Sequence, residues 1–293
     1  MSQKREILVT GGTGQQGGAI ARELLARGYR VRAMTRHPES ERARALEKRG
    51  AKIVRGNFDS NSSLEEALAG VWGCYSVQNT WEAGVEGEER QGKHLAELAR
   101  RCGVEHFVYS SVASAHRHTG IPHFDNKWRV EETIRRLGFP SYTILRPVFF
   151  MENFLSLWFK PAIDDGHLTV GIRPSTMLQM IAVEDIGKYG AWAFDEHEKL
   201  NGRALDIAGD ACTMPEAAKI IGSAAGHRVD FAPTPREEVR SFSEDFAFML
   251  EWFDRVGYNA DIVGMAKESR IRPTTLAEWV VGVDWSVRTP TAR

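Results

Sequence analysis

The sequence predicts an α/β fold, a Rossmann-type doubly wound parallel sheet with a small C-terminal mixed α/β lobe. Three observations lead there. Short apolar runs alternate with helix-length segments through the first 146 residues, and parallel neighbours need crossovers of that length. A glycine-rich string, TGGTGQQGG at residues 10–18, joins the first strand to the first helix, the place where a dinucleotide-binding fold carries it. The chain has 293 residues, 42% of them hydrophobic, which is room for one large domain with a smaller lobe.

The elements follow in order. EILVT is the first strand, and GGAIARELLARG puts Ile20, Leu24 and Leu25 on one helical face, with Gly28 as its stop. YRVRAMT is strand two and ESERARALEKRG a charged, exposed helix. KIVRG is strand three, SSLEEALAG a helix capped by Ser62 or Ser63, and GCYSV strand four. EERQGKHLAELARRCG places Leu95, Leu98, Ala99 and Cys102 on one stripe. EHFVYSS is strand five. A helix starting in HFDNKW follows, with His123, Lys127, Val130, Ile134 and Leu137 on one face, and SYTILRP is strand six.

Beyond Pro147 the pattern is irregular. VFFMENFLSLWF is aromatic-rich, and TMLQMIAVEDIGKYGAWAF reads as a strand and helix that rejoin the main sheet. Helices are expected in TMPEAAKIIGSAAG, EDFAFMLEWFDRVG and TTLAEWVVGV. Residues 1–150 are therefore expected to form the NAD(P)-binding domain, its sheet completed from 176–208. Residues 151–175 and 209–293 are expected to form the smaller lobe.

Composition narrows the function classes. A formal net charge of −1 supplies no basic field for direct nucleic-acid or anionic-membrane binding. There is no secretory h-region and no apolar run of ~18 residues. Cys74, Cys102 and Cys212 are far apart and form no C-x-x-C, so reduced thiols in a cytoplasmic protein are expected. His116 and His118 have no third residue spaced to complete a metal site.

The glycine string fits Gly12-x-Gly14-x-x-Gly17 and Gly11-x-x-Gly14-x-x-Gly17 at once. Glycines keep such a turn tight and let a pyrophosphate reach the backbone, while the helix N-terminus offers amides and partial positive charge. At the end of strand two an NAD site places an acid for the ribose 2′-hydroxyl. This chain has Met34, Thr35 and Arg36, with no acid before Glu39. A guanidinium suits a 2′-phosphate, so NADP(H) is the expected cofactor.

These features resemble the extended and atypical short-chain dehydrogenases. That family carries a serine at the end of strand five and Tyr-x-x-x-Lys on the next helix, the tyrosine acting as proton donor and the lysine holding ribose. Ser111 and His123-x-x-x-Lys127 fill those slots, so the tyrosine is replaced. An imidazole of ordinary pKa ~6.5 is mostly neutral at pH 7 and a poor acid for carbonyl reduction. His123 and Lys127 are weak catalytic candidates, and a cofactor clamp or an ordinary helix start are the alternatives.

GGTGQQGG, TRHP, QNTWE, RQGKHLAELARR, HFDNKWRVEE and FFMENFLS, in this order, resemble the NmrA-like family and its NADPH-sensing members over essentially the whole chain. The resemblance implies cofactor contacts from Gly11, Gly12, Thr13, Gly14, Gln15 and Gln16, joined by Gly17 of the glycine pattern. It adds Arg36, Gln78, Asn79, Thr80, Lys127, Phe150, Glu152 and Asn153. It also puts Asn57 and Phe58 beside the adenine and Arg90 as a further basic contact. Ser40 departs from the pattern where those sensors tend to carry a second basic residue, with Arg42 or Arg44 as substitutes. Trp81 caps a ligand or packs, Glu184 and Asp185 suit a helix N-terminus, and the aromatic run at 149–154 lines a cleft or the core.

Two function classes follow from the resemblance. One is a redox-sensing regulator with little or no catalysis that reads the NADPH/NADP ratio for a protein partner. The other is an NAD(P)H-dependent reductase of a quinone, azo or benzylic ether substrate. The missing proton donor favours the regulator.

Overall fold

The computed structural model describes residues 5–286. In chain order the elements are β1 (Glu6–Val9), α1 (Gln15–Ala26), β2 (Arg30–Thr35), α2 (Glu41–Lys48), β3 (Lys52–Arg55), α3 (Asn61–Leu68), β4 (Gly73–Ser76), α4 (Thr80–Arg101), β5 (His106–Ser110), α5 (Pro122–Arg136) and β6 (Ser141–Pro147). Then come β7 (Phe149–Phe150), α6 (Lys160–Asp164), β8 (His167–Val170), β9 (Met177–Ile181), α7 (Val183–Asp195), β10 (Ala204–Ile207), β11 (Asp210–Thr213) and α8 (Met214–Ala225). The last are β12 (Asp230–Pro233), α9 (Arg236–Phe242), α10 (Glu244–Arg255), α11 (Ile262–Ser269) and α12 (Leu276–Val281). Two compact units result. Among the described residues the first comprises 5–118, 122–146 and 186–206, and the second the remainder.

The first unit is built on a seven-stranded sheet in the order β10-β6-β5-β4-β1-β2-β3. Every pair from β3 through β6 is parallel. All residues of β4 and β5 are buried, because helices on both faces leave no side for the alternation of a half-exposed strand. Leu8, Leu64, Leu95, Leu98, Phe107, Val130 and Ile134 form the core under α3, α4 and α5. Each such side chain contributes roughly 1.5–3 kcal/mol on burial. On α7, a Cβ at Gly187 or Gly190 would meet Ala19 at 3.0 Å or Ile20 at 2.0 Å, so these two glycines let α7 and α1 cross closely.

The sheet order places β1 between β2 and β4, so winding reverses beside β1. A crevice outside the carboxyl ends of the strands opens at such a switch point. The loops after β1 and β4 flank it.

Two helix starts differ from expectation. The N-cap of α3 is Ser60, not Ser62 or Ser63. Asn57 Oδ1 accepts from the Asp59 amide, and this turn delivers Ser60 in the extended conformation a cap requires. Helix α4 begins at Thr80, well before the glutamate at which its apolar stripe starts, with a break at Gly84 (φ 73°, ψ 169°). The added residues are mostly exposed and are broken at Gly84, so they do not continue the stripe of Leu95, Leu98, Ala99 and Cys102.

The second unit holds a three-stranded sheet, β11-β9-β7, and a parallel pair, β12-β8. The expectation that the strand of TMLQMI rejoins the main sheet is corrected here. That strand, β9, pairs antiparallel with β11 and parallel with β7, and β10 takes the main-sheet edge instead. A short apolar run carries no information about its partner. The helices expected in TMPEAAKIIGSAAG, EDFAFMLEWFDRVG and TTLAEWVVGV are present as α8, α10 and α12. Capping boxes at Thr213/Glu216 and Thr275/Glu278 start α8 and α12. No helix among the described residues is long and apolar enough to cross a membrane.

The tight turn after β1 is the most sterically constrained part of the crevice wall. A Cβ at position 17 would lie 2.3 Å from Gly11 O and 2.6 Å from Thr10 O, backbone atoms that cannot rotate away. Gly17→Ala should therefore cost about 1–3 kcal/mol and lower the melting temperature by several degrees. An unchanged thermal melt would show that the turn is looser than described.

Candidate functional site

The glycine loop leaves β1 and is pinned at both ends. Thr10 Oγ1 accepts from the Val77 amide at 2.9 Å, Gly12 N donates to Met34 O at 3.1 Å and Gly14 N to Gly11 O at 2.8 Å. A Cβ at Gly12 would lie 2.8 Å from Ala33 Cβ, so glycine lets the loop lie against β2. Gly14 caps α1 without a side-chain acceptor, and the first turn holds no acid. The first amides of a helix have no intrahelical partner, so those of α1 are left for an external anion. Gln16 is buried and its Oε1 has no hydrogen-bond partner. An N-terminus without a side-chain cap fits the phosphate of a ligand, and the Gln16 oxygen fits a ligand hydroxyl, since it can only accept.

Arg36 leaves the end of β2 and is exposed. Its NH2 lies 2.6 Å from Glu82 Oε2 on the first turn of α4. Thr13 Oγ1 and Thr35 Oγ1 are hydrogen-bonded at 3.0 Å, which ties the glycine loop to the end of β2. Ser40 is the N-cap of α2. Two residues on, Arg42 NH1 donates to Thr13 O at 3.4 Å, which brings a second guanidinium beside the glycine loop.

Loop residues after β4 take defined places. Gln78 is buried, with Nε2 donating to Ser76 Oγ at 3.0 Å and Oε1 unpartnered. Asn79 caps α4 by accepting from the Trp81 amide at 3.1 Å. Thr80 donates its hydroxyl to Glu88. Asn57 is exposed in its turn, and Phe58 packs partly against the core. Arg90 is exposed, 3.9 Å from Asp59.

Helix α5 carries the residues of the HFDNKW string. His123 is buried, and its ring centroid lies 5.8 Å from that of Trp81. Lys127 Nζ donates to Glu88 Oε1 at 2.7 Å, and Asn126 Nδ2 to Glu88 Oε2 at 3.0 Å and Val85 O at 2.8 Å. Burial alone would raise the pKa of Glu88. The Lys127 charge and the hydrogen bonds from Lys127, Thr80 and Asn126 outweigh it and hold the carboxyl below its ordinary range. Ser111 donates to Glu131 Oε1 at 2.5 Å, and Arg146 clamps Glu131 with Nε at 2.8 Å and NH2 at 2.7 Å. The three slots that resemble a short-chain-dehydrogenase centre thus hold an imidazole, a serine tied to a buried carboxylate and a lysine paired with another.

The remaining singled-out residues are woven into the scaffold. His116 Nδ1 accepts from Arg146 NH1 at 2.7 Å, and burial and that guanidinium push its pKa down. In the second unit, Phe150 lies on β7 opposite Ile181. Glu152 accepts from the Val183 amide and Trp279 Nε1, each at 3.0 Å, and burial raises its pKa despite those bonds. Asn153 O accepts from Ser156 N at 2.9 Å. Phe149, Phe154 and Phe159 pack on one another at 5.7–6.1 Å. Asp185, in the first turn of α7, accepts from the Thr274 amide at 2.6 Å.

The model of the NmrA-like family matches residues 3–280. The chain belongs to the NmrA-like family. An NmrA-like family domain-containing protein of Dictyostelium discoideum is 28% identical over 272 residues, 86% of this chain and 88% of that one. The NmrA-like family domain-containing oxidoreductase notA of Aspergillus sp. is 31% identical over 257 residues, 78% of this chain and 76% of its own. A crystal structure of NmrA, a negative transcriptional regulator, in complex with NAD superposes with a TM-score of 0.81 at 21% identity, covering 98% of this chain and 100% of its own. The triphenylmethane reductase of Citrobacter sp., complexed with NADP(H), gives 0.78 at 22% identity, over 94% and 99%. At these identities the two structures establish that this NmrA-like chain shares their fold.

Sequence reasoning missed Glu82, Glu88, Glu131 and Arg146. The Glu131–Arg135 spacing on one helix was a readable signal for an ion pair, and the two are paired at 2.9 Å. Nothing in the sequence announces that Glu88 meets Lys127, since the two stand on different helices and 39 residues apart.

Glu88 also gives a pH test. With its folded-state pKa lowered, its stabilisation is complete above the unfolded carboxylate pKa of ~4.3 and is lost as pH falls through the folded value. Removing one partner of a buried pair costs about 3–5 kcal/mol. Urea unfolding should show Glu88→Gln strongly destabilised at pH 7, the gap to wild type narrowing below about pH 4. A gap that is independent of pH would mean that the ionised carboxylate is not what stabilises the pair.

Proposed function

We propose that this NmrA-like chain binds NADP(H) in the crevice beside β1 and reports the cofactor's redox state to a regulatory protein partner, with little or no catalysis of its own. One observation carries the reading. The proton-donor slot holds His123, while Ser111 and Lys127 are each committed to a buried carboxylate. A lysine whose charge is balanced by Glu88 does little to acidify a neighbour, and the slot holds no hydroxyl for it to acidify.

Binding itself is supported by the uncapped start of α1, the orphaned Gln16 Oε1 and the related NmrA and triphenylmethane reductase structures with NAD and NADP(H). The preference for NADP(H) is supported by Arg36 and Arg42 at the end of β2, where an NAD site would carry an acid. In this reading the α1 amides hold the pyrophosphate, Arg36 and Arg42 the 2′-phosphate, and Gln78 to Thr80 border the path toward Lys127. Asn57 and Phe58 flank the adenine with Arg90 as an outlying cation. A cytoplasmic location goes with a cofactor of that kind.

A reductase is the second reading, favoured because relatives such as notA are named oxidoreductases. A bound NADPH supplies a hydride. A cationic dye, or a quinone that takes its proton from water, would accept it without a protein acid.

Two measurements test these readings. Calorimetric titration should show NADP⁺ binding more tightly than NAD⁺, with Arg36→Asp narrowing or reversing the preference; equal affinities in the wild type would sink the NADP assignment. NADPH absorbance followed against quinones, azo dyes, triphenylmethane dyes and aldehydes should fall only at background rates. Robust turnover would replace the regulator by the reductase, and its loss in His123→Ala would make His123 the acid.

A further inference from the structure

The residue on which 2′-phosphate recognition rests already has an anion on it. Arg36 NH2 lies 2.6 Å from Glu82 Oε2, with side chains 57% and 54% exposed. Glu82 reaches Arg36 from the first turn of α4, 46 residues along the chain. The other charges at this edge are occupied differently. Arg55 donates to Arg36 O at 3.0 Å and pairs with Glu39 at 3.4 Å, His37 lies 3.9 Å from Glu39, and Arg42 donates to Thr13 O. Glu82 is thus the carboxylate seated on the guanidinium where a phosphate oxygen would sit, since both anions use the same N–H donors.

The turn bearing Glu82 is set off from the body of its helix by a backbone break and tied back to it through Thr80 and Glu88. Gly84, with φ 73° and ψ 169°, breaks α4 directly after Ala83, and a Cβ there would meet nothing within 4 Å. The body of α4 beyond it is anchored by Glu88 to α5. Changes at Glu82 therefore need not disturb that anchor.

We infer that Glu82 is a specificity-determining residue that occupies the 2′-phosphate seat on Arg36 and weakens NADP(H) binding without affecting NAD(H). NADP(H) has to displace this carboxylate. NAD(H), which has a hydroxyl in place of the phosphate, leaves the pair intact. The inference rests on the NADP(H) reading of the crevice.

The test is calorimetric titration of the full chain with NADP⁺, NAD⁺ and 2′,5′-ADP, in wild type, Glu82→Gln, Arg36→Ala and the double variant. Both side chains are exposed, so the substitutions should leave the fold intact. Glu82→Gln is expected to tighten NADP⁺ and 2′,5′-ADP by up to about fivefold, the range set by an exposed ion pair, and to leave NAD⁺ unchanged. In the Arg36→Ala background the same change should have no effect, because the carboxylate acts through Arg36. Glu82→Gln that weakens NADP⁺, leaves it unaltered, or shifts NAD⁺ equally overturns the inference, and the NADP(H) reading survives if Arg36→Ala still costs NADP⁺ affinity. Arg36→Ala without effect on NADP⁺, or a wild type that binds neither dinucleotide, overturns that reading and the inference together.

Discussion

A single buried carboxylate organises the wall of this crevice. Glu88 is almost fully buried on α4 and receives hydrogen bonds from Lys127, Asn126 and Thr80. Taking an ion out of water costs several kcal/mol unless charge and hydrogen bonds replace the solvent. All three donors are therefore obligatory partners, and each comes from an element the site needs in place. Thr80 brings the loop after β4, and Asn126 and Lys127 bring α5. Asn126 also reaches Val85 O just past the break at Gly84, so the interrupted helix is held where its regular hydrogen bonding fails.

This arrangement has a chemical consequence. A lysine beside a proton donor is useful when its positive field is unopposed, and here Glu88 lies 2.7 Å from Nζ. Ser111 is drawn the other way, toward Glu131, which Arg146 and Arg135 also grip. Ser111, Lys127 and the carboxylates that hold them tie α4, α5 and β6 together.

The two ends of the crevice differ in rigidity for physical reasons. The glycine loop is fixed by backbone hydrogen bonds at both sides and by contacts that leave no space for a Cβ at positions 12 and 17. The Arg36 end is made of long, exposed side chains whose ion pairs are individually weak. The glycine loop is thus preformed in backbone, while the Arg36 end can rearrange side chain by side chain.

What the sequence determined by itself was local and repetitive. The alternation of strands and helices, the glycine string between the first strand and helix, Arg36 in place of an acid and the His123/Lys127 stripe were all legible. Each is a matter of spacing within one element or between adjacent ones. Tertiary structure decided the rest. It placed β9 in a separate sheet because a short apolar run does not name its partner. It added the mostly exposed start of α4 because exposed residues leave no periodic trace. It chose Glu88 for Lys127 and Glu82 for Arg36, pairings between elements far apart in the chain, where only packing brings opposite charges within reach of each other.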